Sequence, residues 1–600
     1  MANEAARAGL SSSRKWELHL KRMYLKRFRI GPYELCMFAM VAAATLVRLV
    51  LIYFNWPVTN SDEGNMGLLA MHVAYRGELP IFFYGLPYMG PLEGYIAAPL
   101  FRLFGVSLFT LRLGLLPLFA LFLICMYYLT RLLYTEKFAL VIVVLLSFGS
   151  SLAISLQLKA VGEYPEMLLF AALISLLASW LALSSHTFSP GGAKQVKRKR
   201  IMVYGFLGLV VGLALWVDFL ILPFVVTGGL LLFLFCRGEL RTWSGLSLLL
   251  GVLVGAFPLL LYNVTAPLSQ NSLIILLEIH HAGANQVAAE HIPFLRQIIG
   301  AVMVSLPLAT GANPSCPLEA FPLFGSPTTS TLQCVVFQSG WGIGYIILGI
   351  IAASLAAGII WRQWRKSSIQ GWSFEERQTT IRQCARLMLL VSAGLTLVLY
   401  TLSPIAAVIP DIIWRYLICM LIALPAVLWP LWNGNSRLLI ASARRARILF
   451  ILRIGLLLLI ASIFLLGTIR TFVEGVPEAQ AAYSQEDALV QDLLHIGATR
   501  IYSEYWTCNR LIFHSQERII CSALDDQLKP GFDRYMPYRS MVRAALHPAY
   551  VFPLNSPQTA TFQREMLSQY VHYRHYVFEG YDVYQPDTVV YRFGEQRPSR

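Results

Sequence analysis

Charge is scarce in this sequence. Only 14% of its 600 residues are Asp, Glu, Lys or Arg, against about 25% in an ordinary soluble domain. Hydrophobic residues make up 56%, and the mean hydropathy is +0.59. A water-soluble globule of this size cannot hide so much apolar surface. The shortage of charge therefore excludes a cytosolic enzyme, a disordered chain and a secreted repeat protein, and it points to a polytopic membrane protein. Long-period internal repeats are also lacking, and the Ser/Gly/basic stretch 184–200 is the one low-complexity segment. Acidic residues are rarer than basic ones, 33 against 48, for a net charge of +15. A basic excess can mark nucleic-acid binding, so the placement of the charges decides what it means.

What is abundant is long apolar runs. They lie near 34–54, 107–130, 138–157, 164–184, 201–217, 219–236, 244–262, 341–361, 385–403, 412–432 and 449–468. Each is close to the roughly 20 residues a bilayer requires. About eleven transmembrane helices follow. The first is an anchored span, being too long for a signal-peptide core and lacking a small-x-small cleavage site. The run 92–104 is short and carries Pro99 and Arg102, so it reads as a helix on the outer membrane surface within a first outer loop 55–106. Asp218 interrupts 201–236, and a hairpin with Asp218 at the outer surface avoids a charge at mid-membrane.

Charge placement supports this threading. With a cytoplasmic N-terminus (1–33), the inner loops hold 28 Lys/Arg and 6 Asp/Glu. The outer connections before the tail hold 5 Lys/Arg and 11 Asp/Glu. That is the positive-inside pattern. The basic excess is a topology signal, and no nucleic-acid partner is expected. The expected location is the plasma or inner membrane, with domains 34–468 in the membrane and 469–600 outside. The tail reads as a small α/β domain. Its expected strands are 500–506, 518–522, 549–552 and 573–584, and its expected helices are 485–496, 509–516, 534–546 and 557–570. Four of the nine cysteines fall on the outer side, where disulfides persist. We expect Cys316–Cys334 and Cys508–Cys521.

The outer face also gathers acids. Asp62 and Glu63 follow the first span, Glu93 ends the loop segment Tyr84–Glu93, and Glu163 and Glu166 flank the next outer connection with Lys159 and Tyr164. Asp218 emerges on the same side, as does Arg415-Tyr416. A carboxylate at the membrane–water boundary can act as a general base or hold a cation. Arg and Lys at headgroup level suit a phosphate. The plainer alternatives are a helix N-cap for Ser61-Asp62 and snorkelling for Arg415 and Arg48. Together the residues fit a lipid-phosphate substrate meeting a hydroxyl acceptor.

Several short motifs, in this order, resemble the GT-C superfamily of integral-membrane glycosyltransferases, nearest to its protein O-mannosyltransferase and aminoarabinose transferase branch. They are Leu46-Val47-Arg48-Leu49, Ser61-Asp62-Glu63-Gly64, Tyr84–Glu93 with Tyr88, Leu111-Arg112-Leu113, Gly162-Glu163-Tyr164-Pro165-Glu166 and Trp414-Arg415-Tyr416-Leu417. The resemblance implies an inverting hexosyl or pentosyl transferase of the cell envelope. Such an enzyme moves a sugar from a polyprenyl-phosphate donor to a protein, lipid or glycan acceptor on the extracytoplasmic face. Carried over, Asp62 is the base and Glu63 its support, and Glu163 or Glu166 forms a second acidic site. Arg415, with Lys159 or Arg48, holds the donor phosphate. Tyr88, Glu93, Tyr164, Asp218 and Tyr416 line the substrate pocket. The second acidic site reads Glu where the family has an Asp-containing pair, and the tail does not resemble a sugar-binding trefoil.

Two other readings compete. A lipid-linked sugar flippase would place charges at mid-membrane and often shows repeats. A scaffold displaying the tail leaves the outer acids without a role. No cofactor is required, and a divalent metal stays open. Glu278, His280, His281 and His291 lie in the long outer loop 263–340, but adjacent His side chains on one helix diverge by about 100° and rarely share an ion.

Overall fold

The computed structural model describes residues 31–185, 194–370, 373–433, 443–568 and 572–587. The basic N-terminus up to residue 30, the middle of the 184–200 linker and the end of the expected 557–570 helix lie outside them. Among the described residues, eight helices are long and apolar enough to cross a membrane, and ten if each of two bent pairs counts as one span. The shorter apolar helix Phe219–Phe235 takes the remaining expected run. All eleven runs thus fall on helices.

The two bent pairs have local causes. Glu136–Ser147 and Ser151–Leu158 meet at 87°. Between them the Ser150 hydroxyl accepts from Ala153 N–H and restarts the helix as its N-cap. The second break, 61° between Trp243–Gly255 and Phe257–Thr265, precedes Pro258 in the first turn of the new helix. Asp218 sits at the expected turn and accepts from Leu220 N–H at 2.7 Å. The helix Leu92–Phe104 is too short to span and packs beside Ser61–Met71, where Gly94 abuts Leu69 and Met66.

The last membrane helix, Ala443–Arg470, continues through a π-turn at Thr471–Gly475 into Val476–His495. One shaft therefore leads into the tail domain. That domain has a five-stranded sheet in the order β2-β1-β3-β5-β4, with β1 Arg500–Ser503, β2 Ile520–Ala523, β3 Ala549–Pro553, β4 Tyr573–Phe578 and β5 Tyr581–Pro586. β1 pairs in parallel with β2 and β3, while β5 pairs antiparallel with β3 and β4. The expected single strand 573–584 is a hairpin. Glu579 and Gly580 both take positive φ, 47° and 83°, which is the geometry of a two-residue turn that matches strand twist.

Both expected disulfides are present, Cys316–Cys334 and Cys508–Cys521. Cys508–Cys521 ties the helix Tyr505–His514 to β2 across a sequence separation of 13. Replacing both of these cysteines by Ser should lower tail stability by about 3 kcal/mol, the loop-closure value for a loop near 15 residues. Denaturant unfolding followed by near-UV circular dichroism measures it. An unchanged midpoint would show that packing alone restrains the loop.

Candidate active site

The site forms where the loop 55–106 meets the tail. Helix Ser61–Met71 is capped by Asn60, whose side chain accepts from Glu63 N–H at 3.0 Å. The cap is therefore Asn60, and Asp62 is released for other contacts. Glycines bring the tail close. A Cβ on Gly64 would stand 2.6 Å from the Asn509 backbone, and one on Gly67 would collide with the Phe513 ring. Helix Tyr505–His514 therefore packs directly against the helix that carries Asp62. Ser61 locks the contact, donating to Tyr505 O at 2.6 Å and accepting from Asn509 N–H at 3.2 Å.

Through this contact the tail reaches Asp62. Arg534 Nη2 donates to Asp62 Oδ1 at 2.7 Å, and the Tyr505 hydroxyl donates to the same oxygen at 2.5 Å. Arg534 Nε also donates to the Tyr505 hydroxyl at 2.7 Å. Among the described residues, nothing hydrogen-bonds to Asp62 Oδ2. Burial and the Asp62 charge push the Tyr505 hydroxyl well up, so it stays a proton donor.

Glu63 points elsewhere. Its two oxygens take Arg112 Nε at 2.8 Å and Nη2 at 2.6 Å, and Ala160 N–H adds a third bond at 3.1 Å. Arg112 also donates to the carbonyls of Asn55 and Pro57. Both side chains have no solvent exposure. The pair fastens the loop 55–106 to the end of the bundle and occupies three of the roughly four acceptor sites of the Glu63 carboxylate.

The second acidic site divides into two carboxyl pairs. Glu93 accepts from Gly162 N–H at 2.8 Å and adjoins Glu166. Glu163 adjoins Asp218. Glu163 itself takes φ 68° and ψ −47°, a sparsely populated conformation that tends to occur at functional sites. Burial, and then the neighbouring carboxylate, hold Glu93 and Glu163 well above the usual carboxylate range, and burial also raises Asp218. Each pair therefore retains a proton into the range where isolated carboxylates have lost theirs.

A raised carboxyl favours the folded state most at low pH, below the ordinary value of about 4. That contribution is lost as pH climbs through the raised value. Thermal unfolding in detergent should show stability falling as pH rises above about 4. The double variant Glu163→Gln/Asp218→Asn should flatten this slope. An unaltered slope in the variant would assign the titration to other groups.

The cations are placed differently from one another. Arg415 lies on a ten-residue 3₁₀ stretch, Trp414–Ala423, inside a membrane span. Such runs rarely exceed four residues and often mark functional segments. Its guanidinium is 5.9 Å from the Tyr164 and Tyr416 ring centres and within electrostatic reach of Glu163 and Asp62. It has no hydrogen bond or ion pair with any described residue, and its Nε is buried without a partner. Lys159 caps the helix Ser151–Leu158 beside Glu63, Arg112, Asp62 and Arg415, and burial lowers its ammonium. Tyr88 faces Glu163, Asp218, Arg534 and Arg415, and burial followed by the two acids pushes it up to about 12.

Arg48 is absent from this group. It donates to Gln157 Oε1 at 2.8 and 3.2 Å and to Ser147 O at 2.8 Å, and it sits 3.7 Å over the Phe119 ring. These contacts make it an internal brace, and it does not snorkel. His280 and His281 lie on helix Ser272–Ala289. Among the described residues, no three His, Cys, Asp or Glu side chains are grouped as a metal site requires. Sequence reasoning missed Arg534 and Tyr505. Arg534 falls in a bend just before helix Met536–Arg543, and Pro537 at the start of that helix was the available signal.

No family model matches the chain, and no curated protein matches it. Solved structures do. The crystal structure of ArnT from Cupriavidus metallidurans bound to undecaprenyl phosphate aligns over 91% of this chain and 97% of its own, with a TM-score of 0.50 and 12% identity. Its apo form aligns over the same shares with a TM-score of 0.45 and 13% identity. The oligosaccharyltransferase AglB from Archaeoglobus fulgidus, in complex with an inhibitory peptide and a dolichol-phosphate, covers 91% of this chain and 74% of its own at a TM-score of 0.42 and 13% identity. The ArnT likeness spans both the membrane bundle and the tail, and the chain is a multi-pass integral membrane protein with the GT-C fold.

Proposed function

We propose that this protein is an inverting glycosyltransferase that moves a sugar from a polyprenyl-phosphate donor to an acceptor on the extracytoplasmic face. One observation carries the reading: Arg415, without a carboxylate partner, and Lys159 lie within electrostatic reach of Asp62. Unpaired cations near a carboxylate suit a phosphate leaving group on one side and a hydroxyl nucleophile on the other. The two outer disulfides and the charge bias of the loops support an N-terminus inside and a tail outside.

In this reading Asp62 Oδ2 takes the proton of the acceptor hydroxyl. The acceptor oxygen forms a bond to the anomeric carbon as the bond from that carbon to the phosphate oxygen breaks. The phosphate keeps the electron pair and stays on the lipid, held by Arg415 and Lys159. A single displacement inverts the anomeric centre. Tyr88, Tyr164 and Tyr416 supply aromatic walls and hydroxyls. The pairs Glu93/Glu166 and Glu163/Asp218 offer both an acceptor and a retained proton to sugar hydroxyls. ArnT was crystallised with undecaprenyl phosphate, a ligand of the proposed class.

The test uses the purified full chain in vesicles with a radiolabelled polyprenyl-phosphate sugar. Acceptor-dependent appearance of free lipid phosphate supports transfer. Intact labelled lipid crossing the bilayer without cleavage would instead make the chain a flippase.

A further inference from the structure

Arg534 reaches from the tail to Asp62. Its side chain is 9% exposed and lies among the Phe83, Tyr505 and Phe532 rings at 5.1–5.6 Å. The turn at Gly85, with φ +78°, rests directly on its Cδ. Nε and Nη2 are engaged by Tyr505 and Asp62, but Nη1 is buried with no partner. Arg415 has the same defect at Nε. Buried N–H groups in native structures are nearly always paired, and an orphan calls for a specific explanation. Among the described residues four arginines carry one, Arg296, Arg415, Arg510 and Arg534; of these, Arg415 and Arg534, from different domains, both lie within electrostatic reach of Tyr88.

Two orphaned guanidinium donors, one bonded to Asp62 and the other within its electrostatic reach, match a ligand with several anionic oxygens. We infer that the donor phosphate bridges Arg415 of the membrane bundle and Arg534 of the tail, so that the tail completes the donor site. This rests on the proposed transferase reading. It also gives the tight glycine contact at Gly64 and Gly67 a consequence: the same docking that sets Asp62 brings in a phosphate ligand. Arg534 then holds Asp62 through Nη2 while Nη1 takes a phosphate oxygen.

The probe is polyprenyl phosphate without sugar, titrated into the detergent-solubilised full chain, with inorganic phosphate as competitor. Arg415→Gln and Arg534→Gln should each weaken binding by about tenfold or more, as expected for loss of a charge-assisted hydrogen bond. Arg534→Lys should restore part of it. Asp62→Asn removes the competing ion pair and should bind the lipid phosphate at least as tightly as wild type. If Arg534→Gln binds like wild type while turnover falls, Arg534 only positions Asp62 and the inference fails. If Arg534→Gln does not fold, Asp62→Asn still decides, since weakened binding there overturns the inference. If Arg415→Gln alone loses binding, the transferase reading survives without the tail's contribution. A wild-type chain that binds no polyprenyl phosphate overturns the transferase reading itself.

Discussion

Asp62→Asn should reduce sugar transfer by about 10²–10⁴-fold, the range contributed by a positioned general base, while the chain stays folded. The substitution keeps the shape, and the amide oxygen can still accept from Arg534 Nη2 and the Tyr505 hydroxyl, the two groups that fix Oδ1. What it removes is a basic oxygen facing the acceptor. The loss should appear in kcat. Donor affinity should not weaken, because Arg415 and Lys159 are untouched. Near-normal turnover in this variant would remove Asp62 from the chemistry.

The adjacent residue should behave in the opposite way. Arg112→Ala leaves the Glu63 carboxylate buried without its partner, with only the Ala160 N–H as a hydrogen bond. Breaking a buried ion pair in this manner costs about 3–5 kcal/mol, a large share of the stability of an ordinary domain. The variant should unfold or express poorly, and the loop 55–106 should detach from the bundle. Glu63→Gln retains one acceptor oxygen and should lose less. Thermal unfolding of the three variants separates the roles: Asp62→Asn near wild type, Glu63→Gln intermediate, Arg112→Ala lowest. An Arg112→Ala protein as stable as wild type would mean the bidentate pair does not hold the loop.

These neighbours show what the sequence could and could not reveal. That an Asp-Glu pair stands past the first span is plain from charge and hydropathy. Which of the two faces substrate depends on helix phase. Asn60 starts the helix, which turns Glu63 toward Arg112 and Asp62 toward the tail. Reading Ser61-Asp62 as the cap would have given a different phase.

The span pattern was legible because each run carries its own signal, about 20 apolar residues bounded by charge. The 87° break within 136–158 was not, since Ser150 looks like any serine until it caps a new turn. Arg48 looked like a phosphate ligand because of its position near a span end. Its role as a brace comes from Gln157, 109 residues away. Arg534 stands 472 residues from Asp62, and no local pattern encodes such a meeting. The disulfides could be anticipated because compartment and loop length restrict the choice. The sequence reads as one strand over 573–584, where the structure has a hairpin over 573–586, because Glu579-Gly580 is a weaker turn signal than Asn-Gly or Asp-Gly.

The most direct measurement is the stoichiometry of lipid phosphate released per sugar transferred, together with the anomeric configuration of the product. Purified protein, a labelled polyprenyl-phosphate sugar and acceptor extract suffice. The account predicts one free polyprenyl phosphate per sugar and an inverted anomeric centre, both lost in Asp62→Asn. Retention of configuration, or loss of labelled lipid with no lipid phosphate formed, would contradict it.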